Sequence, residues 1–233
     1  WKFQKGQKFK SLTIGGGGYT FPRYMEASYK NAEIDVVEID PEVTRIVYKH
    51  LGLSAHTRLR SYNTDGRWFV MNCSDKYDLI FTDAYNDLSI PYHLTTKEFA
   101  EQLKAILSPG GIIMSNIIDN FQKGAFLPSY IRTLKEVFGA RNVFLLSVRP
   151  DFNNTRISTF IVVAAKGNFD INDFDTHVKS RVDGHATSVV IPESLLEEFL
   201  TKRYSITIRD DYAPVDNLIA PIFEERFGYN RKS

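Results

Sequence analysis

Four consecutive glycines, Gly15 to Gly18, follow the short apolar run Ser11-Leu12-Thr13-Ile14. A strand ending in such a run can turn sharply into a helix and lay its backbone against a ligand, because no Cβ intervenes. Glu38 closes the β-branched run Ile34-Asp35-Val36-Val37-Glu38-Ile39. That is about twenty residues past the turn, the spacing at which two neighbouring strand ends meet at the crevice of a doubly wound sheet. An acid there accepts both hydroxyls of a ribose. The plainer alternative is a tight turn beside a strand-end acid; turn, acid, spacing and strand context together favour the pocket. In a dinucleotide fingerprint the third glycine would fall on Thr20 or Pro22. Proline also removes a backbone N–H that a diphosphate needs. Gly15, Gly16, Gly17, Gly18 and Glu38 therefore point to a nucleoside without phosphates.

Two further groups of residues stand at strand ends. Asp65 and Gly66, in Asn63-Thr64-Asp65-Gly66-Arg67, follow a third strand, where a carboxylate can accept from an exocyclic purine amine. Asp65 would equally serve as a helix N-cap, and one side chain can do both. Asp83 and Asp87, in Asp83-Ala84-Tyr85-Asn86-Asp87, follow a fourth strand over the same crevice. They could bind an amine, or take its proton as it attacks carbon next to a sulfonium. The alternative is a turn in which Asn86 and Asp87 bond their own backbone. Arg209 to Val215 reads as a loop capping the last helix or as a contact to a second substrate.

The rest of the composition narrows the function classes. Lys+Arg number 29 against Asp+Glu 28, so no charge excess favours a nucleic-acid partner. The single cysteine, Cys73, excludes an internal disulfide and reads as a small buried hydrophobe. His50, His56, His93, His177 and His185 have no partners at metal-ligand spacing, and no metal is expected. No apolar run is long enough to span a bilayer. A cytoplasmic location follows, or that of the cytosolic domain of a membrane protein. The start at Trp1, without Met, is expected of a piece of a longer chain.

These residues need strands and helices in alternation to hold them. Asp40-Pro41 starts a helix carrying Val43, Ile46, Val47 and Leu51. Thr95 with Glu98 forms a capping box ahead of Phe99, Leu103, Ile106 and Leu107. A further helix lies near Pro128 to Phe138. The runs Val143 to Val148 and Ser158 to Ala165 are too close for a long crossover and predict an antiparallel hairpin at one edge. The fold class is α/β, a mostly parallel, doubly wound sheet covered on both faces. Residues 1–165 form the nucleoside-binding domain, and 166–233 a C-terminal cap packed on it.

Gly15 through Tyr24, Val36 to Asp40, Asp65-Gly66, Tyr77 to Asp87, Pro91 through Thr96, Pro109-Gly110-Gly111 and Asp210 through Val215 resemble the spermidine/spermine synthase family. They are similar above all to a bacterial branch often fused to a multi-pass membrane region. The resemblance implies a methyltransferase-like Rossmann sheet and an adenosyl-sulfonium donor, S-adenosylmethionine or decarboxylated S-adenosylmethionine. It places the ribose on Glu38 and the adenine near Asp65. It further implies a small-molecule amine as acceptor, a homodimer, and a place in a longer membrane-anchored chain. Aminopropyl transfer to the amine is the activity it suggests; methyl transfer, or nucleoside binding without chemistry, are the alternatives. Two positions depart from the pattern: Gly18 stands where the family has an acid inside the glycine turn, and Asn86 where it has a second acid. An acid at 18 would attract an aminopropyl ammonium and repel a methionine carboxylate. Gly18, with Arg23 nearby in sequence, inclines the pocket towards tolerating the carboxylate.

Overall fold

One sheet of eight strands organises the protein, in a computed structural model that describes residues 3–4, 6–85, 90–154, 156–172 and 188–228. In chain order the strands are β1 (Phe9–Ile14), β2 (Ala32–Glu38), β3 (Leu59–Asn63), β4 (Tyr77–Thr82), β5 (Leu107–Asn120), β6 (Val143–Ser147), β7 (Ile157–Ala165) and β8 (Val189–Val190). Across the sheet they run β3-β2-β1-β4-β5-β7-β6-β8. The first five are parallel, while β7 is antiparallel to both β5 and β6. The expected hairpin is thus present, with β7 on the inner side, and β8 pairs beyond β6 to form the outer edge. Strand order reverses between β1 and β4, which opens the crevice at their carboxyl ends.

The helices are α1 (Thr20–Ser28), α2 (Pro41–His50), α3 (Gly66–Asn72), α4 (Lys97–Ile106), α5 (Phe126–Phe138), α6 (Glu193–Lys202) and α7 (Val215–Phe227). Successive strand residues point to opposite faces, and here both faces are buried. Val37, Ile80, Ile113, Leu145 and Val162 join one apolar cluster with Phe99 of α4 and Leu134 of α5. Val36, Leu79, Ile112, Leu146 and Val163 join the other, with Met25 of α1 and Val47 of α2. Leu196 and Phe199 of α6, and Leu218 and Ile222 of α7, belong to the first cluster. The segment 188–228 therefore adds a strand to the sheet and two helices to its core. Among the described residues no helix is long and apolar enough to cross a membrane.

Local signals start two helices where expected. Asp40 accepts from the Glu42 N–H at 2.8 Å and Asp65 from the Trp68 N–H at 2.9 Å. The capping box of α4 is displaced by one residue. Thr96, not Thr95, accepts from the Phe99 N–H at 3.3 Å, and the Thr95 hydroxyl donates to the Tyr92 carbonyl. Glu98 turns instead to the Asp210 N–H at 3.0 Å, a partner from a distant loop that local spacing could not announce.

Helix α5 begins at Phe126, ahead of Pro128, behind an Ala125 that has no capping side chain. Asp119, at the end of β5, supplies the acceptor: its carboxyl takes the Leu127 N–H and the Asn120 N–H, each at 2.7 Å. Burial pushes this carboxyl up to about 7, against those two N–H groups and Arg203, which favour its charged form. The folded protein therefore holds the Asp119 proton more tightly than the unfolded chain. This contribution to stability is full below the unfolded carboxyl range, near pH 4, and is lost as pH rises through about 7. Asp119→Asn leaves one N–H facing an amide NH2 and should destabilise by about 1–3 kcal/mol. The gap between wild-type and variant melting temperatures should narrow from pH 5 to pH 8; a gap that does not change with pH would refute the assignment.

Candidate functional site

The carboxyl ends of β1, β2, β3 and β4 bring together Gly15 to Gly18, Glu38, Asp65 and Asp83. Ile14 and Gly15 knit the ends of three strands: the Gly15 N–H donates to the Val37 carbonyl at 2.9 Å, and the Asp83 N–H to the Ile14 carbonyl at 2.8 Å. Gly15 has φ +97°, and a Cβ there would lie 2.3 Å from the Asp83 carbonyl oxygen. A Cβ on Gly16 would meet the Tyr19 ring at 2.6 Å and Glu38 Oε2 at 3.0 Å. Any other residue at either position forces strand ends or side chains apart. Gly18 differs. Its Cβ would meet only Thr20 Oγ1, at an ordinary 3.5 Å, so a side chain fits there.

Glu38 is 8% exposed, and its carboxylate is turned onto the glycines. Oε2 accepts from the Gly16 N–H at 2.7 Å and the Gly17 N–H at 3.2 Å, and Oε1 from the Asp40 N–H at 3.0 Å. A carboxylate offers about four acceptor positions, and the backbone uses all but one of them. Beneath the turn runs a chain of polar contacts that starts at a buried tyrosine and ends at the exposed Asn63. Tyr19, fully buried at φ 55°, meets Thr44 Oγ1 through its hydroxyl at 3.1 Å. Asn63 donates to that same Thr44 oxygen at 2.8 Å and to the Glu38 carbonyl at 3.2 Å. Tyr19 and Thr44 escaped sequence reasoning, because nothing in their local spacing marks a residue that works through tertiary contact. Arg23 faces elsewhere: its guanidinium donates to the Leu51 carbonyl at 2.8 Å, just past the far end of α2. The charge argument at the turn therefore rests on Gly18 alone.

Asp83 accepts from Asn116 Nδ2 at 2.7 Å. Tyr85 is tied to the same stretch of β5, donating to the Asn116 carbonyl at 2.7 Å and accepting from the Ile118 N–H at 2.9 Å. Beyond Ser115, the last residue of β5 paired with β4, the Tyr85 hydroxyl takes the place of the missing neighbour strand. Burial raises its pKa far above the ordinary phenol value, which keeps the hydroxyl protonated and donating to the Asn116 carbonyl. Asp87 lies outside the described residues.

Asp65 caps α3 through Oδ1 and lies 2.8 Å from His93 Nε2 through Oδ2. Gly66 packs on Ile14 and Leu94, which presses the start of α3 against β1 and against the turn that carries His93. Burial would raise the Asp65 carboxyl, but the Trp68 N–H and His93 outweigh it and hold it below its ordinary range. Next to it Arg67 grips Asp210 with both terminal nitrogens, at 2.7 and 2.6 Å. That bond holds Asp210 low, and Arg67 high, relative to their ordinary values. The loop expected to cap the last helix therefore closes on α3 and α4 instead.

The family model of the spermine/spermidine synthase domain matches residues 2–173. A probable polyamine aminopropyl transferase of Bifidobacterium longum is 31% identical over 149 residues, which are 63% of this chain and 32% of that protein. A polyamine aminopropyltransferase of Vibrio vulnificus is 32% identical over 131 residues, 55% of this chain and 43% of its own. The chain thus spans a third to less than half of the length of these curated relatives. A crystal structure of a probable spermidine synthase from Corynebacterium glutamicum superposes with TM-score 0.74 at 22% identity, covering 88% of this chain and 74% of that one. At that identity the likeness shows the fold, a methyltransferase-like Rossmann sheet with an antiparallel edge. With the family model matching most of its length, the chain belongs to the spermine/spermidine synthase family.

Proposed function

We propose that the protein is a transferase that moves an aminopropyl group from an adenosyl-sulfonium nucleoside to a small amine. The observation that carries the reading is the convergence of Gly15–Gly18, Glu38, Asp65 and Asp83 on one crevice at the switch point of the sheet. In this reading the ribose takes the remaining acceptor position on Glu38, and a second hydroxyl displaces one of the backbone N–H groups. The adenine amine meets Asp65. The donor's sulfonium lies over the end of β4. A neutral amine attacks the carbon beside sulfur, the C–S bond breaks, and sulfur leaves with the electron pair as a neutral thioether. The new ammonium gives its extra proton to Asp83, to Asp87 or to water. Positioning and proton removal are the protein's share of the work. The same reading includes a homodimer, a cytosolic setting and attachment to a membrane-anchored neighbour of the bacterial fused type. Methyl transfer is the second reading, favoured by Gly18, which puts no negative charge against a methionine carboxylate. Methylthioadenosine as product marks the first, adenosylhomocysteine the second.

Binding should appear as a rise in melting temperature with methylthioadenosine or S-adenosylmethionine, since a ligand of the folded state stabilises it. Glu38→Ala should itself lower stability by leaving the N–H groups of Gly16, Gly17 and Asp40 without their acceptor. The informative quantity is thus the ligand-induced shift, most of which should vanish. No shift in the wild type at millimolar nucleoside would remove the basis of the reading.

Donor choice is tested at position 18, where the structure leaves room for a side chain. The wild type should bind S-adenosylmethionine at least as well as its decarboxylated form. Gly18→Asp should reverse that order by an amount on the order of a few kcal/mol, the effect of a charge about 4 Å away at intermediate dielectric. A strong wild-type preference for the decarboxylated donor would instead speak for an acid elsewhere in the pocket.

Asp83→Asn and Asp87→Asn should each slow turnover by roughly 10²–10⁴-fold if that carboxylate takes the proton. Nucleoside affinity should stay within a few-fold, because a contact made in the transition state need not hold the ground state. A loss of turnover smaller than about tenfold in both variants would assign the proton to water instead.

A further inference from the structure

We propose that His93 is a specificity-determining residue at the purine end of the crevice. By fixing the orientation of the Asp65 carboxylate, it makes the site select a 6-aminopurine over a 6-oxopurine. The inference rests on the proposed nucleoside reading of Asp65 and adds a residue to it.

The geometry is specific. Nε2 of His93 stands 2.8 Å from Asp65 Oδ2, while Oδ1 is occupied by the Trp68 N–H at 2.9 Å. The carboxyl is held in its ionised form. An ionised carboxylate cannot donate, so the hydrogen in this contact belongs to Nε2. Oδ2 keeps a second lone pair for a ligand N–H. The amine of a 6-aminopurine can use it, whereas a 6-oxo group would set oxygen against oxygen. Without the imidazole the carboxylate is free to rotate about its Trp68 contact and turn Oδ2 away from the oxo group.

The imidazole is itself well placed for this task. Its turn is closed by the Leu94 N–H on the Pro91 carbonyl at 2.9 Å and by the Thr95 hydroxyl on the Tyr92 carbonyl at 2.7 Å. Arg67 donates to the His93 carbonyl at 3.2 Å while it holds Asp210, and Glu98 of α4 fixes the Asp210 backbone. The side chains of His93 and Asp65 are 33% and 34% exposed. The pair is thus reachable from solvent while being held from behind.

The test is calorimetric binding of methylthioadenosine and methylthioinosine, which differ at the 6 position, to the wild type and to His93 variants. The wild type should prefer the 6-amino nucleoside. His93→Ala should reduce the affinity ratio by about tenfold, the scale of one hydrogen bond to a charged group. His93→Gln, whose amide can still donate to Asp65, should largely restore it. If His93→Ala does not fold, His93→Phe keeps the ring without the donor and should show the same loss. A ratio unchanged in the donorless variants, with or without a lower melting temperature, would overturn the proposal and leave His93 a structural residue. Failure of the wild type to bind either nucleoside would overturn the nucleoside reading itself, a different and recognisable outcome.

Discussion

Glu38 holds the glycine turn by accepting its N–H groups, and the turn can come close enough only because Gly16 lacks a Cβ. A buried carboxylate is costly unless its oxygens are paired, and here the N–H groups of the glycine turn and of Asp40, just ahead of α2, pair them. The contact therefore satisfies the acid and fixes the turn in the same stroke. Gly15 then lies against the Asp83 peptide, which sets how far the end of β4 can stand from the end of β1. Tyr19, Thr44 and Asn63 carry the same constraint to α2 and β3. Remove the Glu38 contact and four strand ends lose their common reference.

Much of this arrangement is legible in the sequence, and the legible parts share a cause. Asp40 and Asp65 cap the helices that follow them directly, so spacing along the chain reports them faithfully. Alternation between the two faces does the same for the strands. The features that sequence reasoning missed act across the fold. Asp119 caps a helix that starts after an intervening loop. Thr96 replaces Thr95 as a cap while Glu98 turns to Asp210. His93 looks solitary because its partner lies 28 positions away. The Tyr85 hydroxyl finishes the backbone pairing of β5 from beyond the end of β4.

The strand-end acids illustrate why structural and functional readings need not compete. Asp65 caps α3 with one oxygen and presents the other to His93. Glu38 serves the backbone through three contacts and still has acceptor capacity. Such groups are preorganised by the same bonds that stabilise the fold, so their orientation does not have to be established when a ligand arrives. Asp83 fits the pattern through Asn116, which places its carboxylate without neutralising it.

Arg67 and Asp210 are 143 positions apart in the chain, yet their ion pair closes the loop before α7 onto the start of α3. On the ribosome, where residues emerge in order, the glycine turn, Glu38 and Asp83 all leave the exit tunnel while Asp210 is still unmade. A nascent chain can therefore assemble most of the sheet before its pocket is braced. Until Asp210 emerges, the nascent chain is a partly assembled sheet with one end of its crevice unbuttressed.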